Sequence, residues 1–218
     1  MKPAALLFDM DGVIVDNHQF HLKAWMEFSK RHGFHLDEVE YKKHINGRTI
    51  SATMAHFFPD EKNLDVIQAL GAEKEEIYRE LYAPHQKPTP GLVDFLRLAM
   101  DAGIAVGVGS SAPPENIAFT LDGLDLRKYF AAIVNGSEVS VGKPAPEVYL
   151  KLAEKLGAKA EDSIVLEDAL SGIEAGKNAG AKVIGLATTH PAHEISHSDL
   201  VINDFNGLTV VMLTSLFD

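Results

Sequence analysis

Two aspartates, Asp9 and Asp11, stand at the end of the apolar run AALLFDMDG near the N-terminus. If that run is a strand, its pleat turns both carboxylates to the same side and toward the same ligand. Two acids at one site do not both ionise cheaply. One can serve as a nucleophile held ionised by a divalent cation, while its neighbour keeps a proton and acts as general acid and then as base. Gly12 allows the backbone to turn sharply just beyond them. Acids also cap strand ends and helices, so the pair needs support from elsewhere in the chain.

Three further clusters supply it. Ser110 and Ser111 end the run IAVGVGSS, where hydroxyls and backbone N–H groups can bind a phosphate oxygen. Lys143 lies in VGKPAPE, whose prolines would hold an ammonium in a fixed place to neutralise a phosphoryl group and an attacking carboxylate. Glu167 and Asp168 end SIVLED, and a hard cation with oxygen ligands, magnesium for phosphate chemistry, gives two acids a reason to follow so apolar a stretch. Each signal has an ordinary alternative: serines cap helices, a loop lysine is usually solvated, and either acid could cap the helix that follows.

The elements that must carry these residues are short apolar runs at 4–12, 104–111, 131–136, 163–169, 181–187 and 199–203, apolar on both faces as buried parallel strands are. Helical patterns lie between them. GLVDFLRLAMDAG, KPAPEVYLKLAEKLG and SGIEAGKNAG each end in glycine. Strand and helix in alternation imply an α/β fold, a doubly wound parallel sheet with right-handed crossovers, whose ligands gather at the carboxyl ends of the strands. The acid pairs and the serines all fall at such ends. Residues 16–87 break the alternation with the helical stretches HLKAWMEFSKRHG, NGRTISATMAHFF, NLDVIQALG and AEKEEIYRELYAP. A Rossmann-like core of residues 1–15 and 88–218 with an inserted α-helical cap is therefore expected.

DMDGV, GSS, GKPAPEVY and LEDALSGIEAGKNAG, in that order, resemble the four motifs of the haloacid dehalogenase-like phosphotransferases, and the helical insert resembles the cap of the β-phosphoglucomutase-like branch. The resemblance implies that Asp9 attacks phosphorus, Asp11 protonates the leaving oxygen, and Ser110 and Lys143 hold the phosphoryl group. It also implies magnesium bound by Asp9, the backbone carbonyl of Asp11, and Asp168, with Glu167 as a direct or more distant ligand. Water would then hydrolyse the aspartyl phosphate, with Asp11 as the base.

In the cap, HLKAW with His21 and Trp25 is similar to the stretch by which β-phosphoglucomutases set a histidine against the acid/base aspartate, and Lys74 falls where those mutases carry a substrate-contacting lysine. His21 could equally be a helix-surface residue, and Lys74 could pair with Glu73 or other acids nearby. The departure lies in INGRTISAT: where the mutases carry an arginine this chain has Ile50, and the guanidinium at hand is that of Arg48, next to Gly47. A mutase must grip a bisphosphate at both ends, so this departure favours a phosphatase acting on a small metabolite such as a sugar phosphate. A β-phosphoglucomutase-type mutase and an inorganic pyrophosphatase are the alternatives. A non-catalytic phosphate-binding module has no use for a general acid beside the nucleophile.

Composition sets the remaining bounds. At 218 residues, 46% hydrophobic and 23% charged, the chain is long enough for a sizeable core. A formal net charge of −11 argues against nucleic-acid and anionic-membrane partners. With no cysteine, thiol nucleophiles, thiolate metal sites and disulfides are excluded. The apolar N-terminal run is too short for a signal peptide, and a cytoplasmic, monomeric protein is expected. His190, His193 and His197 in THPAHEISHS are too loosely spaced to read as a zinc site.

Overall fold

The apolar runs become strands because both of their faces are covered. The computed structural model describes residues 2–45 and 50–218. Its strands are β1 (Ala5–Phe8), β2 (Ala105–Gly109), β3 (Ala132–Val134), β4 (Ser163–Glu167), β5 (Lys182–Leu186) and β6 (Leu200–Ile202). Its helices are α1 (His18–Arg31), α2 (Glu38–His44), α3 (Ile50–Phe57), α4 (Leu64–Tyr82), α5 (Leu92–Asp101), α6 (Pro114–Gly123), α7 (Glu147–Lys155), α8 (Leu170–Asn178) and α9 (Val210–Ser215). The chain divides into two compact units, residues 1–16 with 87–218 and residues 17–86.

The first unit is an α/β core built on a parallel sheet of order β3-β2-β1-β4-β5-β6. Strand order reverses at β1, which pairs with β2 on one side and β4 on the other, the place where such folds keep their ligands. Every residue of β1 is buried. On one face Phe8 packs against Phe95, Phe130 and Phe205 at ring-centroid distances of 5.9–6.4 Å. On the other, Ala5 and Leu7 join Tyr149 and Leu152 of α7 and Ile173 of α8 in one apolar cluster.

Register sets the height of the polar residues. Phe8 is level with Val108 of β2 and Leu166 of β4, and the Asp9 N–H donates to the Leu166 carbonyl at 2.9 Å, so Asp9 stands level with the end of β4. The pleat does not set the direction of Asp11, contrary to the sequence expectation. β1 ends at Phe8, and the chain then turns back on itself: the N–H groups of Val13, Ile14 and Val15 all donate to the Met10 carbonyl, and Gly12 donates to Val15. Gly12 has φ +78°, the left-handed conformation that glycine adopts freely.

The second unit is helical. Phe20, Trp25 and Phe28 on α1 and Ile77, Tyr78 and Tyr82 on α4 are among its buried residues, at helical spacing. The Asn17 side-chain amide donates to the Tyr78 hydroxyl at 2.6 Å. One expectation for this unit needs correction. NLDVIQALG and AEKEEIYRELYAP form one continuous helix, α4, because Gly71 is a close-approach point within it and not a stop: a Cβ there would lie 3.0 Å from the Ile50 side chain. The acidic stretch DEVE leads into α2 and stays largely exposed, with Asp37 as the N-cap accepting from the N–H groups of Val39 and Glu40 at 2.9 Å. Among the described residues no helix is long and apolar enough to cross a membrane.

Candidate active site

Three strand ends and one loop of the core carry the residues singled out for chemistry. Asp9 follows β1, Ser110 follows β2, Glu167 closes β4 with Asp168 next to it, and Lys143 comes from the loop that precedes α7. Lys143 ties the group together. Its Nζ donates to Asp9 Oδ1 at 2.7 Å and to Glu167 Oε1 at 2.6 Å, with its side chain only 10% exposed. It is thus no solvated loop lysine. The loop is pinned in turn by Glu147 in the first turn of α7, whose Oε2 accepts from the N–H groups of Ser140 and Val141 at 2.9 Å and whose Oε1 accepts from Lys151 at 2.6 Å.

Neither Glu167 nor Asp168 caps α8, whose N-cap is Ala169. Glu167 is instead held from several sides. Oε1 accepts from Lys143 and from the Tyr149 hydroxyl at 2.7 Å, and Oε2 accepts from the N–H groups of Asp168 and Ala169 at 3.0 and 3.1 Å. A Cβ at Gly172 would lie 1.8 Å from Glu167 Oε1, so the first turn of α8 leaves this carboxylate room by having no side chain there. Tyr149 was missed from sequence. An aromatic at helical spacing on α7 reads as core, which it also is, with full burial and the Lys143 ammonium 5.0 Å from its ring.

Asp9, Glu167 and Asp168 are all buried, and each offers an oxygen within 4.8 Å of the others. Burial pushes the Asp9 carboxyl up to about 7; the Lys143 ammonium opposes this, while Glu167 and Asp11 add to it. Asp168 is driven well above the usual carboxylate range by burial and by its neighbours Glu167 and Asp9. Burial disfavours the charged form of Lys143, yet the two carboxylates it touches outweigh this and hold its pKa well above the ordinary lysine value. With all three carboxylates ionised, one ammonium leaves an excess of two negative charges. That excess, the all-oxygen donor set and the short spacing fit one hard divalent cation. Gly12 keeps the adjoining space open: a Cβ there would stand 2.0 Å from Asp168 Oδ2. The Gly12 carbonyl accepts from the Thr188 hydroxyl at 2.6 Å, which fixes the turn against the loop after β5.

Ser110 is buried, and its Oγ accepts from the Ala112 N–H at 3.1 Å, while the adjacent Ser111 is exposed. Asp11 is half-buried in the turn after β1 and forms a bridge with Val15.

The remaining candidates belong to the helical unit. Lys74 is buried at 2% exposure. Its Nζ meets His21 Nδ1 and Glu75 Oε1, each at 2.9 Å, and lies 5.3 Å from the Trp25 ring. The pairing with a nearby acid is thus made to Glu75, while Glu73 pairs with His32 at 2.9 Å. The His21 ring stacks on Tyr78 at 3.9 Å between centroids, so it is a half-buried packing residue and not a helix-surface one. Trp25 is buried against Phe28. Gly47 and Arg48 lie outside the described residues. His190 bonds Glu194 at 2.8 Å, and His190, His193 and His197 form no metal-ligand group among the described residues.

Residues 3–180 match the family model of the haloacid dehalogenase-like hydrolases. The chain is 36% identical over 184 residues to fructose-1-phosphate phosphatase YqaB of Escherichia coli, an alignment that covers 83% of this chain and 95% of that protein. It is 30% identical over 184 residues to a phosphorylated carbohydrates phosphatase of Thermotoga maritima, covering 83% of each. Among solved structures, a family IA, variant 3 hydrolase from Entamoeba histolytica superposes with a TM-score of 0.90 at 29% identity, over 99% of both chains.

Proposed function

The chain belongs to the haloacid dehalogenase-like hydrolases, and on that footing we propose that it is a magnesium-dependent phosphatase of small phosphorylated metabolites, sugar phosphates foremost, working through a phospho-aspartate on Asp9. The observation that carries this reading is Lys143, which donates to both Asp9 and Glu167 at the edge of the acidic cluster. A carboxylate that attacks a phosphate ester meets like charge, and an ammonium fixed on that carboxylate lowers the repulsion without reorganising during the reaction. The names of the two phosphatase relatives support a sugar phosphate as substrate.

In the proposed reaction, an ionised Asp9 oxygen forms a bond to phosphorus as the bond to the ester oxygen breaks, and Asp11 gives its proton to the departing alkoxide. Water then attacks the phosphorus, its proton passes to Asp11, and the acyl phosphate bond breaks to return Asp9 and release inorganic phosphate. Ser110 and Lys143 hold the phosphoryl oxygens. Lys143 also keeps Asp9 in one orientation, since the same Nζ is anchored on Glu167 and Glu147 pins the loop that bears it. Asp9, Asp168, the Asp11 carbonyl and, directly or through an intermediate ligand, Glu167 would hold a magnesium ion, which would supply neutralising charge at the phosphoryl oxygens.

Water as the acceptor, in preference to a second sugar hydroxyl, rests on Ile50. The position where the mutases carry an arginine is an apolar contact with Gly71 on α4, so this side chain offers a distal phosphate nothing to bind. The test is phosphate release from a panel of sugar phosphates, nucleotides and pyrophosphate, with magnesium or with chelator. Magnesium-dependent release from sugar phosphates, abolished in Asp9→Asn, is expected. No release from any member, or isomerisation of β-glucose 1-phosphate faster than phosphate release, contradicts the reading.

A further inference from the structure

A second group of metal-ligating side chains lies in the helical unit and has a donor set unlike that of the acidic cluster. Glu40 and His44 stand one turn apart on α2, on the same face of the helix, with Glu40 Oε2 3.5 Å from His44 Nε2. His56, in the last turn of α3, stacks its ring on that of His44 at 3.8 Å between centroids. One ligand atom from each of the three lies within 4.8 Å of the others. We propose that Glu40, His44 and His56 form a binding site for a divalent transition metal of the zinc, cobalt and nickel type.

Donor chemistry selects the ion. Two imidazole nitrogens and one carboxylate oxygen suit borderline cations, whereas magnesium prefers oxygen ligands and gives up its water reluctantly. Saturating magnesium therefore leaves this site unfilled. Three protein ligands leave a fourth position for water, as in an open tetrahedral site. The two rings are parallel to within 9°, and a shared metal must lie in the plane of each. One ring has to turn to reach it. His56 is exposed, and rotation about its outer side-chain torsion is soft, so it supplies that movement while His44, 17% exposed, stays packed. The bound ion would link α2 to α3 across the chain segment that contains Gly47 and Arg48, and so tie two short helices whose own lengths give them little stability.

Cobalt(II) titrated into the tag-free full-length chain under saturating magnesium, with visible absorption as the readout, tests this. The expected result is one equivalent of cobalt bound with the intense band of a four-coordinate site, unchanged in Asp9→Asn. In His56→Gln the affinity falls by more than about 100-fold, since loss of a direct ligand exceeds the 10- to 100-fold typical of outer-shell partners. Should His44→Gln fail to fold, His56→Gln carries the test, because an exposed side chain is removed. Absence of a magnesium-resistant band, a band undiminished in His56→Gln, or a band lost in Asp9→Asn overturns the proposal.

Discussion

The Tyr149 hydroxyl donates to Glu167 Oε1 at 2.7 Å, the same oxygen that accepts from Lys143. This carboxylate oxygen thus has two donors, one neutral and one charged, in a fully buried setting where an unbalanced acceptor is expensive. Tyr149 acts on the site through Glu167. Tyr149→Phe removes one oxygen and leaves the ring in the apolar cluster it shares with Leu7 and Ile173. It should weaken magnesium binding by about 10-fold, in the range seen for groups that orient metal ligands, with little loss of thermal stability. Magnesium titration of activity, checked by calorimetry, decides it; unchanged magnesium affinity means that the hydroxyl plays no positioning role.

Gly12→Ala should be inactive. The left-handed backbone at φ +78° costs an L-residue roughly 1–2 kcal/mol. The new Cβ also meets Asp168 Oδ2 at 2.0 Å and must displace that carboxylate from the cluster. Turnover should fall by more than about 100-fold, since misplacement of a reacting group by about 1 Å already costs that much. A variant with near-normal turnover would show that Asp168 has no fixed role.

Without a bound cation, the protein should lose stability as the solution becomes less acidic. Asp9 has its pKa raised from 3.8 to about 7, mainly by burial. Between those values the native state binds more protons at this group than the unfolded chain does, so stability falls as pH rises through the window. At about 1.4 kcal/mol per pH unit the cost reaches on the order of 4 kcal/mol near neutrality, and a cation that stands in for the proton offsets it. The rise in melting temperature on adding magnesium should therefore be larger at pH 8 than at pH 5. An equal or smaller rise at pH 8 contradicts this assignment.

Glu147 has the opposite sign. Its hydrogen bonds from Lys151 and from the Ser140 and Val141 N–H groups lower its pKa from 4.5 to about 2. Its contribution is present above about pH 4.5 and is lost as pH falls through about 2. Glu147→Gln should unfold at lower urea concentration than the wild type at pH 7, a difference that closes by pH 2. Because this side chain pins the loop before Lys143, turnover should also drop several-fold at pH 7. A loop held equally well by the amide would leave both measurements unchanged.

The strands and the order of the chemical residues were legible in the sequence because burial on both faces leaves an unmistakable apolar run, and because acids at the end of such a run stand out. Tyr149 was not legible, since a residue that packs and donates a hydrogen bond has the same spacing as one that only packs. That Lys74 would pair with a nearby acid was legible, and Glu75 is that acid; its burial was not, because that needs the arrival of His21 and Trp25 from α1. Gly71 looked like a helix stop because nothing local announces that Ile50 of α3 will use its missing side chain. The turn that carries Asp11 likewise depends on Val13, Ile14 and Val15 all returning to one carbonyl at Met10.

The covalent step on Asp9 is tested most directly by trapping it. A substrate that turns over is mixed with enzyme and magnesium, quenched in the steady state and treated with borohydride, which reduces an acyl phosphate to the alcohol, and the peptide that contains residues 5–12 is sequenced by mass spectrometry. Homoserine at position 9 alone, dependent on substrate and absent from Asp9→Asn, is the expected result. Reduction at another acid, or an Asp9→Asn protein that still releases phosphate at the wild-type rate, would contradict it.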